Sequence, residues 1–340
     1  MNALVLFAGA GGADIGLRSA GFDHLACVEG DEKACATLRA AGFPAVHAWI
    51  GDGPQPERTV RGRVQPPLPV WRHDGQPVDL LWASPPCQPY SRAGSRLGAD
   101  DARDGWPATL AAIREVRPVW VVIENVVGSP ASGWADALRP LYPEVTVWRA
   151  DAVDWGLPSH RDRLYIVAGP RRWTPPAPTH YGPRVPWLLR AGRSPWVSFG
   201  EALGLVDVIA KEDRGAGMTE RHGARPIIPG DMPLNGVRCG GQGGYLLLPS
   251  ASVMTTEVKG TRASAASGFT FNGGPDRASD SLFLATGRRR LTWQECATLV
   301  GFPDGYPFQG TIEARYRQVG NAIAPIMAEA LARSLPTGVP

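Results

Sequence analysis

A cysteine that follows two prolines stands where a reactive thiol would be expected. Cys87 comes directly after Pro85 and Pro86, at the end of the apolar run Val78–Ala83. Two prolines stiffen the backbone and fix the direction in which the thiol points. A lone thiol is more commonly a buried structural group, but a Pro-Pro-Cys-Gln-Pro turn is poorly suited to core packing. The sequence therefore predicts that Cys87 is a nucleophile.

A glutamate and two arginines occupy comparable positions farther along the chain. Glu124 ends the apolar run Val119–Glu124, so it is either a proton donor with a raised pKa or the partner of an arginine. Arg161 and Arg163 open a further run. Because alternate side chains of a strand face the same way, the two arginines are expected to point together. Paired guanidinium groups suit a phosphate or a pyrimidine oxygen.

The amino-terminal end contains a glycine-rich turn, Phe7-Ala8-Gly9-Ala10-Gly11-Gly12, between a predicted strand and a predicted helix. Glycines let the backbone approach a ligand closely and expose free N–H groups at the helix start. Gly9 and Gly11 fit a dinucleotide fingerprint, but Asp14 occupies the place of its third glycine. Glu29 follows Gly9 by twenty residues and is placed to bind the two hydroxyls of a ribose. This pattern predicts a nucleoside site.

These groups must be brought together by a common scaffold. Apolar runs alternate with helical stretches over the first 170 residues, which predicts an α/β fold with a doubly wound, largely parallel sheet. Ligands bind such sheets at the carboxyl ends of the strands. The predicted strands are Ala3–Phe7, His24–Glu29, Val78–Ala83, Val119–Glu124, Glu144–Ala150 and Arg163–Ala168. The predicted helices are Gly12–Ala20, Glu32–Ala41, Trp106–Val116, Gly133–Leu141, Trp293–Val300 and Ala322–Ser334.

Composition divides the chain into three parts. Residues 1–172 form the predicted sheet domain, residues 173–290 a smaller loop-rich domain, and residues 291–340 a segment that returns to complete the first domain. The net charge of the whole chain is only +3, but residues 173–290 contain 14 basic and 9 acidic residues, an excess of +5. This excess suits contact with a polyanion and, equally well, an arginine-rich surface facing water.

Cysteine usage and hydropathy exclude several classes of protein. The five cysteines are odd in number and lack a C-x-x-C spacing, which argues against a disulfide framework or a structural zinc site. No apolar run approaches the ~20 residues that a membrane span requires. We therefore expect a cytoplasmic protein with no membrane association and no metal.

The ordered motifs resemble those of the DNA cytosine-5 methyltransferases of bacteria and their phages. Phe-x-Gly-x-Gly-Gly, Pro-Cys-Gln, Glu-Asn-Val and Arg-x-Arg occur in that order, followed by Gln318-Val319-Gly320-Asn321-Ala322. The resemblance does not cover residues 173–290, which in this family read the target sequence. It implies an S-adenosylmethionine-dependent methyltransferase fold and methylation of C5 of cytosine in a short sequence of double-stranded DNA. The target base would leave the duplex to react.

The resemblance also implies roles for individual residues. Cys87 would attack C6 of cytosine, Glu124 would act at N3, and Arg161 and Arg163 would hold the flipped nucleotide. S-adenosyl-L-methionine would bind the turn formed by Phe7, Ala8, Gly9, Gly11 and Gly12, with Glu29 on the ribose, Asp52 or its rival Asp74 near the adenine, and Asn321 and Ala322 closing the pocket. The residues expected on DNA are Gln88, Ser91, Arg103, Arg238 and Arg262.

Other functions remain open at this stage. A relative that methylates tRNA shares the catalytic motifs, although its usual Cys-Phe-Thr signature is absent here. A non-catalytic, methyltransferase-like DNA-binding protein would be expected to have lost the cysteine or the glycines. An NAD-dependent oxidoreductase would require a glycine at position 14. We expect a monomer, and the sequence leaves open whether a companion restriction endonuclease exists.

Overall fold

The computed structural model of the protein describes residues 1–48, 50, 75–86, 104–205, 208–213, 227–235, 237, 244–249 and 289–336. Part of the predicted site therefore lies outside the described residues: Asp52, Asp74, Cys87, Gln88, Ser91, Arg103, Arg238 and Arg262.

A seven-stranded sheet organises the first half of the chain. Its strand order is β3-β2-β1-β4-β5-β7-β6, and β7 is antiparallel to both of its neighbours while the other pairs are parallel. This confirms the predicted, largely parallel sheet. The strands are β1 (Asn2–Leu6), β2 (Asp23–Glu29), β3 (Ala45–His47), β4 (Leu80–Ala83), β5 (Trp120–Val126), β6 (Glu144–Asp151) and β7 (Asp162–Gly169).

Helices cover both faces of this sheet, as a doubly wound fold requires. One face packs against α1 and α8 through Leu17 and Leu331, and the other packs against α3 and α4 through Ile113 and Leu138. None of the helices in the described part of the chain is long and apolar enough to cross a membrane. The helices are α1 (Gly12–Ser19), α2 (Glu32–Ala40), α3 (Trp106–Val116), α4 (Ala131–Leu138), α5 (Phe199–Leu203), α6 (Trp293–Val300), α7 (Ile312–Asn321) and α8 (Pro325–Ser334).

A second, four-stranded sheet has the order β11-β10-β12-β13. Its buried residues, such as Ala210 and Ile228, share one apolar core with Phe199 of α5, Leu299 of α6 and Val319 of α7. Packing therefore continues across position 290, and of the last three helices only α8 lies on the first sheet. The remaining strands are β8 (His180–Tyr181), β9 (Ser194–Pro195), β10 (Val208–Asp213), β11 (Ile227–Pro229), β12 (Gly244–Pro249) and β13 (Arg289–Arg290).

Two glycines let α1 approach the carboxyl-terminal segment closely. A Cβ added at Gly12 would lie 2.1 Å from the Ile323 carbonyl oxygen, and one added at Gly16 would lie 2.3 Å from the Pro325 carbonyl oxygen. Both obstacles are backbone atoms, which cannot rotate away as the end of a side chain can. The close contact of α1 with the stretch that begins α8 therefore depends on the absence of side chains at these positions.

The substitution Gly16→Ala tests this contact. We expect it to lower the free energy of unfolding by about 1–3 kcal/mol, because the added methyl group overpacks a closed interface. Gly133→Ala is the matched control, since a Cβ at Gly133 on α4 would meet nothing within 4 Å. It should stabilise the protein by about 0.4–1 kcal/mol through loss of unfolded-state entropy. Urea unfolding measures both changes, and equal midpoints for the two variants would contradict the packing argument.

Candidate active site

Three neighbouring strands end together at one edge of the first sheet. Leu6 of β1 pairs with Ala83 of β4, and Ala83 pairs with Ile123 of β5. Adjacent strands lie about 4.8 Å apart. The glycine-rich turn, the Pro-Pro-Cys turn and Glu124 therefore start from adjacent positions, as the sequence predicts for the carboxyl edge of a parallel sheet.

Glu124 and Arg163 form an ion pair at this edge. The Arg163 Nε lies 2.8 Å from Glu124 Oε1, and the two side chains are 20% and 10% exposed. Burial raises the pKa of the Glu124 carboxyl above its ordinary value, while the positive charges of Arg163 and Arg161 lower it. Desolvation is the largest of these effects. The arginine partner that the sequence offered for Glu124 is thus present, and its pKa is raised, whereas its action as a proton donor stays a prediction.

Arg161 joins the sheet edge to the carboxyl-terminal segment. Its guanidinium donates a hydrogen bond of 2.9 Å to the Gly320 carbonyl and another to the Ala322 carbonyl. Its backbone N–H donates to Asp151 Oδ1 at 2.7 Å. The residue is buried, so these carbonyl oxygens replace the water that a charged group would otherwise need. The sequence did not indicate this contact, because the partners lie about 160 residues away.

Asn125 fixes the turn that leads to the cysteine. Its side-chain amide donates a 3.0 Å hydrogen bond to the Pro85 carbonyl oxygen, in a buried setting, and its Oδ1 accepts from the Val126 N–H at 2.9 Å. The residue after Glu124 thereby holds the backbone two residues before Cys87. Asn125 is a positioning residue that the sequence analysis missed, although it belongs to the quoted Glu-Asn-Val motif.

Phe7 connects the glycine-rich turn to the Pro-Pro turn. A Cβ added at Gly105 would lie 2.6 Å from the Phe7 ring and 3.0 Å from Pro86 Cδ, so both residues flank Gly105. Phe7 has a left-handed backbone, with φ of 56°, which is uncommon for a residue other than glycine. This turn is therefore held in an unusual conformation directly beside the residue that precedes Cys87.

The glycines of the amino-terminal turn do different work. A Cβ at Gly11 would lie 2.6 Å from the Tyr306 hydroxyl, so Gly11, like Gly12, is required for packing. Gly9 also has a left-handed backbone, with φ of 57°, yet a Cβ there would meet nothing within 4 Å. Open space beside a left-handed glycine fits a ligand that approaches the backbone. Ala8 is buried and its N–H bonds to the Val28 carbonyl.

Glu29 bridges two turns at the end of β2. Its Oε2 accepts the Gly9 N–H at 2.7 Å, and its Oε1 accepts the Asp31 N–H at 2.7 Å. Burial raises the pKa of this carboxyl and the two backbone N–H groups lower it. Each carboxylate oxygen has a second lone pair. Glu29 can therefore accept ribose hydroxyls while holding Gly9 in place, so the residues present fit a nucleoside.

Asp14 proves to be a buried structural group beneath the turn. The Cys27 thiol donates to Asp14 Oδ1 over 2.9 Å, and His24 Nε2 lies 3.5 Å from the same oxygen. Burial raises the pKa of Asp14 to about 7 and lowers the pKa of His24 to about 4. The Asp14 carboxyl therefore keeps its proton to a much higher pH than an ordinary aspartate, and the His24 imidazole is neutral above about pH 4. The cluster ties α1 to β2.

Ser159 and its neighbours connect the site to α6 and to the segment that follows β11. The Ser159 hydroxyl donates to the Leu299 carbonyl at 2.7 Å. The backbone N–H of His160 donates to the Leu234 carbonyl at 2.7 Å, and the backbone N–H of Leu234 donates to the Pro158 carbonyl at 2.9 Å. A serine at this position therefore joins the segment before Arg161 to α6.

The structure brings most of the described site residues to one edge. Phe7 and Pro86 flank Gly105, Asn125 holds Pro85, and the neighbouring Glu124 pairs with Arg163. Arg161 adds the carboxyl-terminal segment. Asn321 ends α7 and is exposed, whereas Ala322 is buried and its carbonyl is bound by Arg161.

A protein-family model described as C-5 cytosine-specific DNA methylase matches residues 1–176 and 234–337. The chain is 28% identical over 345 residues to the Type II methyltransferase M.NgoMIV of Neisseria gonorrhoeae, covering 98% of this chain and 96% of that protein. It is 29% identical over 349 residues to the Type II methyltransferase M.NaeI of Lentzea aerocolonigenes, covering 98% and 74%.

Solved structures with the same fold cover nearly the whole chain. A putative DNA modification methyltransferase encoded within an E. coli prophage aligns with a TM-score of 0.55 at 17% identity, covering 98% of each chain. The S. pombe Dnmt2 methyltransferase aligns with a TM-score of 0.56 at 15% identity, covering 97% of this chain and 96% of that one.

Proposed function

Because this chain belongs to the C-5 cytosine-specific DNA methylase family, we propose that Cys87 and Glu124 methylate C5 of a cytosine within a short sequence of double-stranded DNA. The observation that carries this assignment of residues is the shared strand edge, where Asn125 holds the Pro85 carbonyl and Arg163 holds Glu124. The enzyme is a DNA cytosine-5 methyltransferase, and its methyl donor is S-adenosyl-L-methionine.

The thiolate of Cys87 forms a bond to C6 of the cytosine, and the ring electrons shift toward C5 and N3. Glu124 offers its proton at N3 and so stabilises the charge that the attack creates. Its raised pKa favours the protonated form. C5 gains the methyl group that the donor's sulfonium gives up and then loses its proton to solvent. N3 returns its proton to Glu124, the C5–C6 double bond re-forms, and the Cys87 thiolate leaves.

S-adenosyl-L-methionine supplies an electrophilic methyl group when it is bound. Glu29 is placed to accept the ribose hydroxyls, and Gly9 leaves space beside the backbone. Phe7, which begins this turn, flanks Gly105 together with Pro86, so a donor held by the turn would lie close to the nucleophile. Asn321, exposed at the end of α7, closes the pocket in this proposal. We assign Asp52 in preference to Asp74 to the adenine.

The target cytosine must leave the duplex to reach a thiol at the edge of a sheet. Arg163 keeps a flipped base beside Glu124, and Gln88, Ser91 and Arg103 contact the DNA around it. Residues 173–290 select the sequence, with Arg238 at a base edge and Arg262 on a phosphate. We propose a cytoplasmic monomer that protects sites from a companion restriction endonuclease, as the Type II names of its relatives suggest.

A methyl-transfer assay tests this function. With tritiated S-adenosyl-L-methionine, we expect label in cytosine-containing duplex DNA and none in tRNA. Bisulfite sequencing should locate the methylated cytosine in one short sequence. Cys87→Ala should abolish transfer while the cofactor still binds, and Cys296→Ala, at a buried cysteine of α6, should retain it. Label in tRNA alone, or full transfer by Cys87→Ala, would contradict the proposal.

Glu124→Gln tests the acid. This variant keeps the shape of the side chain but cannot donate a carboxyl proton, so we expect kcat to fall about 10²–10⁴-fold with duplex binding unchanged. Glu329→Gln is the matched control, because Glu329 pairs with Arg333 on the exposed face of α8, and its kcat should equal that of the wild type. A kcat for Glu124→Gln within about threefold of wild type would show that Glu124 only anchors Arg163.

A further inference from the structure

Three consecutive large apolar side chains project into solvent after the first domain. Trp187, Leu188 and Leu189 form one 3-10 turn and are 76%, 68% and 60% exposed. Single exposed apolar residues are common, but a contiguous exposed apolar patch marks an interaction site in many soluble proteins. We name the turn Trp187–Leu189 the apolar knuckle.

The apolar knuckle is held by internal contacts. Arg190 Nε donates to the Val185 carbonyl at 2.8 Å, and the same guanidinium lies 5.0 Å from the centre of the Tyr181 ring. We call residues 179–196, which carry the knuckle, the knuckle loop. A Cβ added at Gly182 would lie 2.6 Å from the Trp196 ring, so the two ends of this loop pack closely together. The three apolar side chains are thus presented on a fixed turn, which lowers the entropy lost on binding.

The knuckle loop is attached to the active-site edge of the first sheet. Trp196 Nε1 donates to Asp154 Oδ1 at 2.9 Å, and the Thr179 N–H donates to the Asp154 carbonyl at 3.0 Å. Asp154 lies in the 3-10 turn that directly follows β6. The end of β6 pairs with the start of β7, where Asp151 faces Asp162. The segment that carries the knuckle is therefore attached, through Thr179 and Trp196, at the end of the sheet where β7 begins, and Arg163 lies in that first part of β7.

The charge around the knuckle selects its partner. From residue 179 to residue 196 the sequence has three arginines and no aspartate or glutamate. Arg184 is exposed close to the apolar turn, and Arg193 is half-buried. A second copy of this surface would bring like charges together, whereas a polyanion is attracted by them. Apolar side chains that enter the minor groove beside arginines on phosphates are an established way to hold a duplex.

We propose that the apolar knuckle contacts the DNA duplex beside the target cytosine, with Leu188 and Leu189 against the minor groove and Arg184 and Arg193 on phosphates. This inference rests on the proposed function, because it takes duplex DNA as the substrate. Within residues 173–290, the knuckle adds affinity for the flanking duplex and takes no part in the choice of sequence.

Binding of a labelled duplex of mixed sequence, measured by fluorescence anisotropy on the full chain without cofactor, tests this proposal. The variant W187S/L188S/L189S should bind about tenfold more weakly with an unchanged melting temperature and an unchanged dependence on salt. R184A/R193A should also weaken binding and should flatten the salt dependence by about two units of slope. Leu141→Ser, at an exposed leucine outside the segment, is the matched control and should bind like the wild type.

Three results would overturn the proposal. The first is a triple variant that binds the duplex as tightly as the wild type. The second is a triple variant that loses tRNA binding but keeps duplex binding. The third is a wild-type protein that sediments as a dimer and a triple variant that sediments as a monomer with unchanged duplex affinity. Failure of the proposed function is distinguishable, because it appears as a wild-type chain that binds duplex DNA but transfers no methyl group. With a duplex that contains the site the enzyme methylates, the triple variant should have a raised KM for DNA and an unchanged kcat.

Discussion

The buried guanidinium of Arg161 is the constraint on which the site depends. Hydrogen bonds to the carbonyls of Gly320 and Ala322 keep this charge solvated inside the protein, and a buried charged group without such partners costs more than the ~1–3 kcal/mol of an unsatisfied neutral group. The same segment continues into the stretch whose backbone touches α1 where Gly12 and Gly16 have no side chain. The carboxyl-terminal segment therefore supports both the glycine-rich turn and the sheet edge that holds Glu124. Neither half of the site is complete until the two ends of the chain have met.

The surroundings of Glu124 have two effects: they position its carboxyl group and they keep its pKa raised. Desolvation alone would leave Glu124 costly to ionise, and a fully paired carboxylate would be a poor acid. Arg163 contacts one carboxylate oxygen through Nε, while burial keeps the pKa raised. The carboxyl is thus positioned by an ion pair without losing its tendency to hold a proton. Asn125, the next residue, holds the Pro85 carbonyl, so the acid and the approach to the nucleophile are set by neighbouring residues of β5.

Periodicity and turn chemistry predicted the scaffold well where local signals are strong. The helices Trp106–Val116 and Trp293–Val300 have the predicted bounds, the latter because Thr292 and Glu295 form a capping box. β3 was missed because three residues are too few for an alternation to show. α7 was missed although Thr311 caps it, because polar residues fill most of its surface. The Arg161 contacts and the packing roles of Gly11 and Gly12 could not be predicted, since their partners are set by tertiary structure alone.

The central claim is that this edge carries out covalent chemistry on cytosine through Cys87. The most direct measurement incubates the protein with S-adenosyl-L-methionine and a duplex that carries 5-fluorocytosine at the methylated position. Fluorine cannot leave C5 as a proton does, so the account predicts a stable protein–DNA adduct, and mass spectrometry should place the bond on the peptide that contains Cys87. The absence of an adduct on a duplex whose unmodified form is methylated, or an adduct on any other residue, would contradict it.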